Sequence, residues 1–183
     1  MLIAKESKLP PIKLKDLNKK KVNLSQFYKE GPILINFWTL ACEPCKKEMK
    51  HLSILNSKYN KNGFQVVSIN MDTPRSLSKV KSFVKSQKFS FEVLSDPKSA
   101  IFRKLGGKVM PLVMIADTNG NIVNRHIGYN PGDEKQLEQE IIEILGLITN
   151  SNEDLEIPED VPEEELKEIP DKGKENKLKT DEK

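Results

Sequence analysis

Cys42 and Cys45 are the only cysteines in a chain of 183 residues, and Cys42-Glu43-Pro44-Cys45 closely follows the run Ile33-Leu34-Ile35-Asn36-Phe37-Trp38. Residues at i and i+3 of a helix share one face, with Cβ atoms roughly 5–6 Å apart. A disulfide wants about 3.5–4.5 Å between Cβ atoms. The pair therefore closes only where the backbone is not yet fully helical, in the turn that enters a helix. There Cys42 faces the unpaired N–H groups and the positive end of the helix dipole, which favour thiolate over thiol. Pro44 suits a first helical turn, because it has no N–H to lose and its φ is already near the helical value. The chemistry this arrangement supports is dithiol–disulfide exchange. Cys42, first and more exposed, attacks a partner's disulfide, and Cys45, one turn in, resolves the mixed disulfide.

Other uses of two cysteines fit less well. A zinc site needs four ligands, yet there is no second cysteine pair, and His51 and His126 lack zinc-finger spacing. Inert core thiols are poorly matched to flanking Glu, Pro and Lys. No metal and no cofactor beyond the cysteine pair itself is expected.

The elements that must position the pair are legible on both sides of it. Ile33–Trp38 is a continuous apolar run of the kind that forms a buried parallel strand. Cys45, Met49, Leu52, Leu55 and Tyr59 then recur at helical spacing, so the helix after the pair lays an apolar side on a sheet. Met49 and Tyr59 read as core, and His51 as an exposed helical residue without a role. Gly63 ends that helix and Phe64–Asn70 forms a second parallel strand. Asp72-Thr73-Pro74 opens a helix over Leu77, Val80, Phe83 and Val84; Phe89–Leu94 is a short strand; Asp96-Pro97 begins a helix through Leu105, closed by Gly106-Gly107. Val109–Asp117 is an apolar strand with Pro111 near its start, where a proline is tolerated. Asp117–Asn121 turns into Ile122–Gly128, with His126 a surface-strand residue, and Asp133 caps a last helix bearing Leu137, Ile141, Ile144, Leu145 and Ile148. Upstream, Ile12, Leu14 and Leu17, then Val22 and Leu24, flank Asn18-Lys19-Lys20-Lys21 as a hairpin, before a helical turn at Leu24–Tyr28 and Gly31-Pro32. The strand–helix alternation predicts an α/β fold with right-handed crossovers.

Asn36-Phe37-Trp38 followed by Cys42-Glu43-Pro44-Cys45-Lys46-Lys47-Glu48 resembles the thioredoxin superfamily, and within it the TlpA/ResA-like branch of thiol–disulfide oxidoreductases. The likeness runs from about Pro10 to about Gly146. It implies a thioredoxin-like fold: a central mixed β-sheet flanked by helices, with an N-terminal hairpin and an added helix–strand block, which residues 74–95 fit. It implies a redox-active disulfide Cys42–Cys45, disulfide or dithiol partners among proteins, and an upstream thiol donor. It implies that Pro111 is cis against the cysteine pair, leaving the Met110 backbone to pair with an incoming peptide as an added strand would. Trp38, Glu43, Pro44, Met110 and Pro111 are thus the expected substrate-facing residues, and Cys42, Cys45 and Glu48 the catalytic ones.

Glu48 carries two readings. It shares a helical face with Cys45, where desolvation would raise its pKa into a range useful for proton transfer; the family often has Glu at this offset. It also reads as an acid that complements the helix dipole. Asn36 stands where thioredoxins proper have a proton-transferring Asp; it cannot titrate and reads as a hydrogen-bonded structural residue. Two departures from the branch lie at the substrate-facing surface: Ala41 where Trp is usual before the first cysteine, and Leu112-Val113 where Thr-Thr usually follows the proline. A peroxiredoxin-like peroxidase is a rival reading, since Thr39 stands three residues before Cys42. However, the Pro of that motif is Ile35 here, and a second cysteine three residues on fits dithiol exchange better. A non-catalytic thioredoxin-fold binding module is the other rival.

The net charge of +3 hides an asymmetry: roughly 24 Lys/Arg against 14 Asp/Glu through Thr149, then about 6 against 13 from Asn150 onward. The expected organisation is a flexible lead-in at 1–9, one domain at 10–149, and a disordered tail at 150–183 that is poor in aromatics and rich in Glu, Lys and Pro. The body has no Arg-rich, aromatic-interleaved stripe for nucleic acid. No stretch approaches the apolar length of a membrane span, and Met1–Glu6 lacks the apolar core of a secretory signal. Read literally the chain is soluble and cytoplasmic; a missing leader would place it outside the cytoplasm, where relatives of this branch mostly work.

Overall fold

The run Ile33–Trp38 becomes the central strand, β3, of a mixed sheet in the computed structural model, which describes residues 8–147. Among these residues the strands are β1 (Lys13–Asp16), β2 (Lys21–Asn23), β3, β4 (Gln65–Asn70), β5 (Glu92–Ser95), β6 (Leu112–Ala116) and β7 (Ile122–Ile127). They lie in the order β2-β1-β5-β4-β3-β6-β7. β3, β4 and β5 run parallel, β6 is antiparallel to β3 with Phe37 opposite Leu112, and β6 and β7 form the hairpin predicted around Asp117–Asn121. Hairpin β1–β2 closes the other side by pairing antiparallel with β5.

The helices are α1 (Ser25–Tyr28), α2 (Glu43–Tyr59), α3 (Leu77–Gln87), α4 (Ala100–Lys104) and α5 (Asp133–Ile144). Alternation along β3 assigns them to the two faces. Ile33, Ile35 and Phe37 join a cluster with Tyr28 of α1 and Phe102 of α4, whereas Leu34 and Trp38 join one built from α2, α3 and α5. Each such apolar side chain taken fully out of water contributes about 1.5–3 kcal/mol, and β3 is buried on both faces, with Asn36 its one polar residue. The block expected at 74–95 is present as α3 and β5, with β5 inserted between β4 and the hairpin.

Local differences from the expected elements have local causes. Leu9, at the end of the stretch expected as a lead-in, has a buried side chain, and its N–H donates to the Gly120 carbonyl at 2.7 Å. β5 begins at Glu92 rather than Phe89, because Phe89 and Phe91 stack with centroids 4.9 Å apart and Ser90 is tied to Ser53 and Asn56 of α2. α4 begins at Ala100, capped from outside by Asp96, whose carboxylate accepts the N–H groups of Ala100, Ile101 and Phe102. Gly132, not Asp133, is the N-cap of α5; the Asp133 carboxylate instead accepts the Asn130 N–H at 2.7 Å. His51 is half-buried against the Tyr129 ring, and His126 is half-buried with Nε2 2.7 Å from Glu140 Oε2 on α5. Among the described residues no helix is long and apolar enough to cross a membrane. The described residues lie within the first of two units, Met1–Ile148. The tail assigned to 150–183 lies outside them, as do residues 1–7 and 148–149.

Candidate active site

β3 delivers the chain to the turn Thr39-Leu40-Ala41, and α2 starts at once. Cys42 is the helix N-cap, in an extended conformation, and its Sγ accepts the Cys45 N–H at 3.3 Å. The Cys42 N–H donates to the Thr39 carbonyl at 3.1 Å. The two cysteines are disulfide-bonded with Cα atoms 5.3 Å apart, Cys42 half-buried and Cys45 fully buried. The entry turn thus brings the sulfurs together as the spacing required. Glu43 and Pro44 occupy the first two helical positions and are exposed beside Cys42; Glu43 is ion-paired with Lys46.

The turn before Cys42 is held from the segment that follows β4. Asp72 Oδ2 accepts the Leu40 N–H and an Asn70 Nδ2–H, both at 2.8 Å, and the Met71 N–H donates to the Trp38 carbonyl at 2.9 Å.

Glu48 lies one turn into α2 on the Cys45 side and is 2% exposed. Burial, and next the charge of Asp133, push its carboxyl up to about 8. The acid in the first turn of α2 is Glu43, whereas Glu48 lies beyond that turn and is buried. Tyr129 is the other group coupled to it: burial and then the nearby carboxylates of Glu134, Glu48 and Asp133 push the phenol up to about 12.

The Met110–Pro111 peptide bond is cis. Pro111 is buried, while Met110 is half-buried and packs on the cluster that contains both cysteines. Val109 (58% exposed) precedes it, and Ile127 (63% exposed) stands on the neighbouring strand, where the Gly128 N–H donates to the Pro111 carbonyl at 2.8 Å. Ala41, Glu43 and Pro44 are thus exposed next to Cys42 in the chain, and Val109 is exposed next to Met110.

Two expected roles change. Trp38 was expected at the substrate face but is 0% exposed; it points from β3 into the α2 side of the core and packs on Phe83, with centroids 5.5 Å apart. Asn36 was expected to be hydrogen-bonded, yet among the described residues neither of its side-chain polar atoms has a partner. Its strand neighbours are Val113 and Ser68, and the Ser68 hydroxyl is unpartnered too. Asp72 and Asp133 were read from sequence only as residues that start helices, and Tyr129 was not singled out. Asp72 looked like a helix opener, and nothing local announces that its carboxylate reaches back over 32 residues to Leu40. Among the described residues no group of three or more His, Cys, Asp or Glu is placed to hold a metal.

Comparison with known proteins agrees with this geometry. Residues 4–141 match the Redoxin family. The thiol-disulfide oxidoreductase ResA of Bacillus thuringiensis subsp. konkukian is 30% identical over 149 residues, covering 81% of this chain and 80% of that protein. ResA of Halalkalibacterium halodurans is 27% identical over 132 residues, covering 72% of each. A crystal structure assigned as the thiol:disulfide interchange protein DsbE of Chlorobium tepidum superposes with a TM-score of 0.71 at 31% identity, covering 79% of this chain and 99% of that one.

Proposed function

Because the chain belongs to the Redoxin family and is a thiol–disulfide oxidoreductase, we propose the following division of labour among its residues. Cys42 is the nucleophile. Its thiolate attacks one sulfur of a partner protein's disulfide, forming a mixed disulfide and releasing the partner's other sulfur as thiolate. Cys45 then loses its proton to Glu48 and attacks Cys42 Sγ. That step re-forms the Cys42–Cys45 bond and releases the partner as a dithiol, so two electrons pass to the partner. A thiol donor of suitable potential later returns them.

The observation that carries this reading is the pairing of a half-buried sulfur at a helix N-cap with a fully buried one, the asymmetry that attack and resolution require. The raised pKa of Glu48 is consistent with it. In the disulfide form at neutral pH the carboxyl holds the proton that Cys45 must regain when the bond is reduced. Met110, Val109, Glu43 and Pro44 present the surface on which a partner peptide lies, with the Met110 backbone taking the place of an adjoining strand.

Equilibration of the pair in glutathione or dithiothreitol buffers tests the reading. A reversible couple near −250 mV or lower marks a reductant and one near −120 mV an oxidant. Absence of a reversible two-electron couple overturns the proposal. The Cys45→Ser variant should accumulate mixed disulfides with protein substrates and lose turnover, whereas sustained peroxide consumption by that variant would favour a peroxidase.

A further inference from the structure

We propose that Asp72 is a positioning residue for the exchange reaction, holding the turn before Cys42 so that the attacking sulfur meets the N-terminus of α2. This rests on Cys42 being the attacking thiol.

The hydrogen bonds trace the connection. Parallel pairing of β3 with β4 ends at Trp38 and Asn70. Beyond that point one further backbone bond, Met71 N–H to the Trp38 carbonyl, still joins the two segments. The next rung is made by a side chain: Asp72 Oδ2 accepts the Leu40 N–H at 2.8 Å. Asp72 is itself fixed at both ends. The same oxygen accepts an Asn70 Nδ2–H at 2.8 Å, and the Asp72 N–H donates to Asn70 Oδ1 at 3.1 Å. Asn70 is buried, and its carbonyl accepts the Asp96 N–H at 2.8 Å, which ties it to the residue following β5. From Leu40 the constraint is handed on within one turn, since the Cys42 N–H donates to Thr39, and Cys42 Sγ then meets the Cys45 N–H. A carboxylate is suited to this task because a charge-assisted bond to a peptide N–H is stronger than a neutral one.

Charge and hold act on Cys42 in opposite directions, which makes the proposal separable from a plain electrostatic effect. A negative side chain near the sulfur disfavours thiolate. A firm hold on the turn favours it, by keeping Sγ on the helix N–H groups. Removing the carboxylate without losing the acceptor oxygen should leave the Cys42 pKa unchanged or lower it; removing both should raise it.

The test uses full-length protein carrying Cys45→Ser, so that Cys42 is the single thiol, and follows its alkylation by iodoacetamide against pH. In this parent an ordinary thiol pKa of about 8.5 would overturn the attacking role itself, independently of Asp72. Given a depressed value there, Asp72→Ala is expected to raise the Cys42 pKa and slow alkylation near neutral pH roughly fivefold, the scale of one lost hydrogen bond. Asp72→Asn, which keeps an acceptor for Leu40, should remain within about twofold of the parent. Equal rises in both variants, or no rise in Asp72→Ala while its melting temperature falls, overturn the proposal. Should Asp72→Ala fail to fold, Asp72→Leu, which keeps the shape of the side chain and has no acceptor, gives the same discrimination.

Discussion

Replacing Glu48 by Gln removes a carboxyl that burial, reinforced by Asp133, pushes from an ordinary value of 4.5 up to about 8. Between those values the folded protein keeps a proton that the unfolded chain has released. The group's contribution is therefore fully present below pH 4.5 and is lost as pH rises through about 8. The slope is about 1.4 kcal/mol per pH unit. Over the whole window this amounts to roughly 5 kcal/mol, and to about 3 kcal/mol by neutral pH. Glutamine has nearly the same shape and does not titrate, so its stability should not carry this slope. Urea unfolding of the disulfide forms of both proteins, at several pH values across the window, reads the difference directly; the thiols are tied up and add no titration of their own. Glu48→Gln should gain about 3 kcal/mol on the parent between the acid end and neutral pH. The cost of burying the amide cancels in that comparison, because it does not change with pH. Parallel stability curves would refute the assignment of a proton to Glu48 in the folded disulfide form.

Three further outcomes follow from the same structure. Asn56 is buried, and its amide bonds the Val66 N–H and the Ser90 carbonyl, each at 2.8 Å. Asn56→Ala orphans both groups and should cost about 2–4 kcal/mol in denaturant titration. Asp96→Ala removes the acceptor of three N–H groups at the start of α4 and should cost about 1–2 kcal/mol; amide exchange at residues 100–102 would show the loss locally. Glu48→Gln should also slow resolution by Cys45 more than the initial attack by Cys42, as read from accumulation of the mixed disulfide in rapid-quench samples; equal slowing of both steps would remove Glu48 from the proton-transfer step.

The parts of the fold and site visible in the sequence are those that depend on residue type and short-range spacing. A cysteine pair at i and i+3 with proline between needs a helix-entry turn to close, and the apolar run before it has the length and β-branched content of a strand buried on both faces. Hydrophobic periodicity likewise located α2, α3 and α5. What was not legible depends on neighbours distant in the chain. Trp38 points inward because α2 and α3 cover its face of β3, a fact absent from the motif in which it stands. Asn36 and its strand neighbour Ser68 are both buried without side-chain partners among the described residues, which nothing in the motif around Asn36 states. Asp72 looked like a helix opener because a carboxylate ahead of Thr-Pro carries that local signal whatever it bonds. The starts of β5 and α4 moved for a related reason, since the stacked Phe89 and Phe91 and the outward cap from Asp96 are side-chain events that backbone patterning does not encode.

The sulfur that exchanges electrons is also the atom that accepts the Cys45 N–H in the first turn of α2, and this couples two quantities usually measured apart. The protein occupies four states, folded or unfolded and dithiol or disulfide, and free energy around that square must sum to zero. Any difference in unfolding free energy between the two redox forms therefore reappears as a gap between the potential of the folded pair and that of the same pair in the unfolded chain, about 30 mV for each 1.4 kcal/mol. A thiolate is a stronger acceptor than a disulfide sulfur, so the cap favours the folded dithiol. A pair of melting curves then measures an electrochemical quantity, and a substitution in the entry turn that acts on one redox form alone must move both observables together.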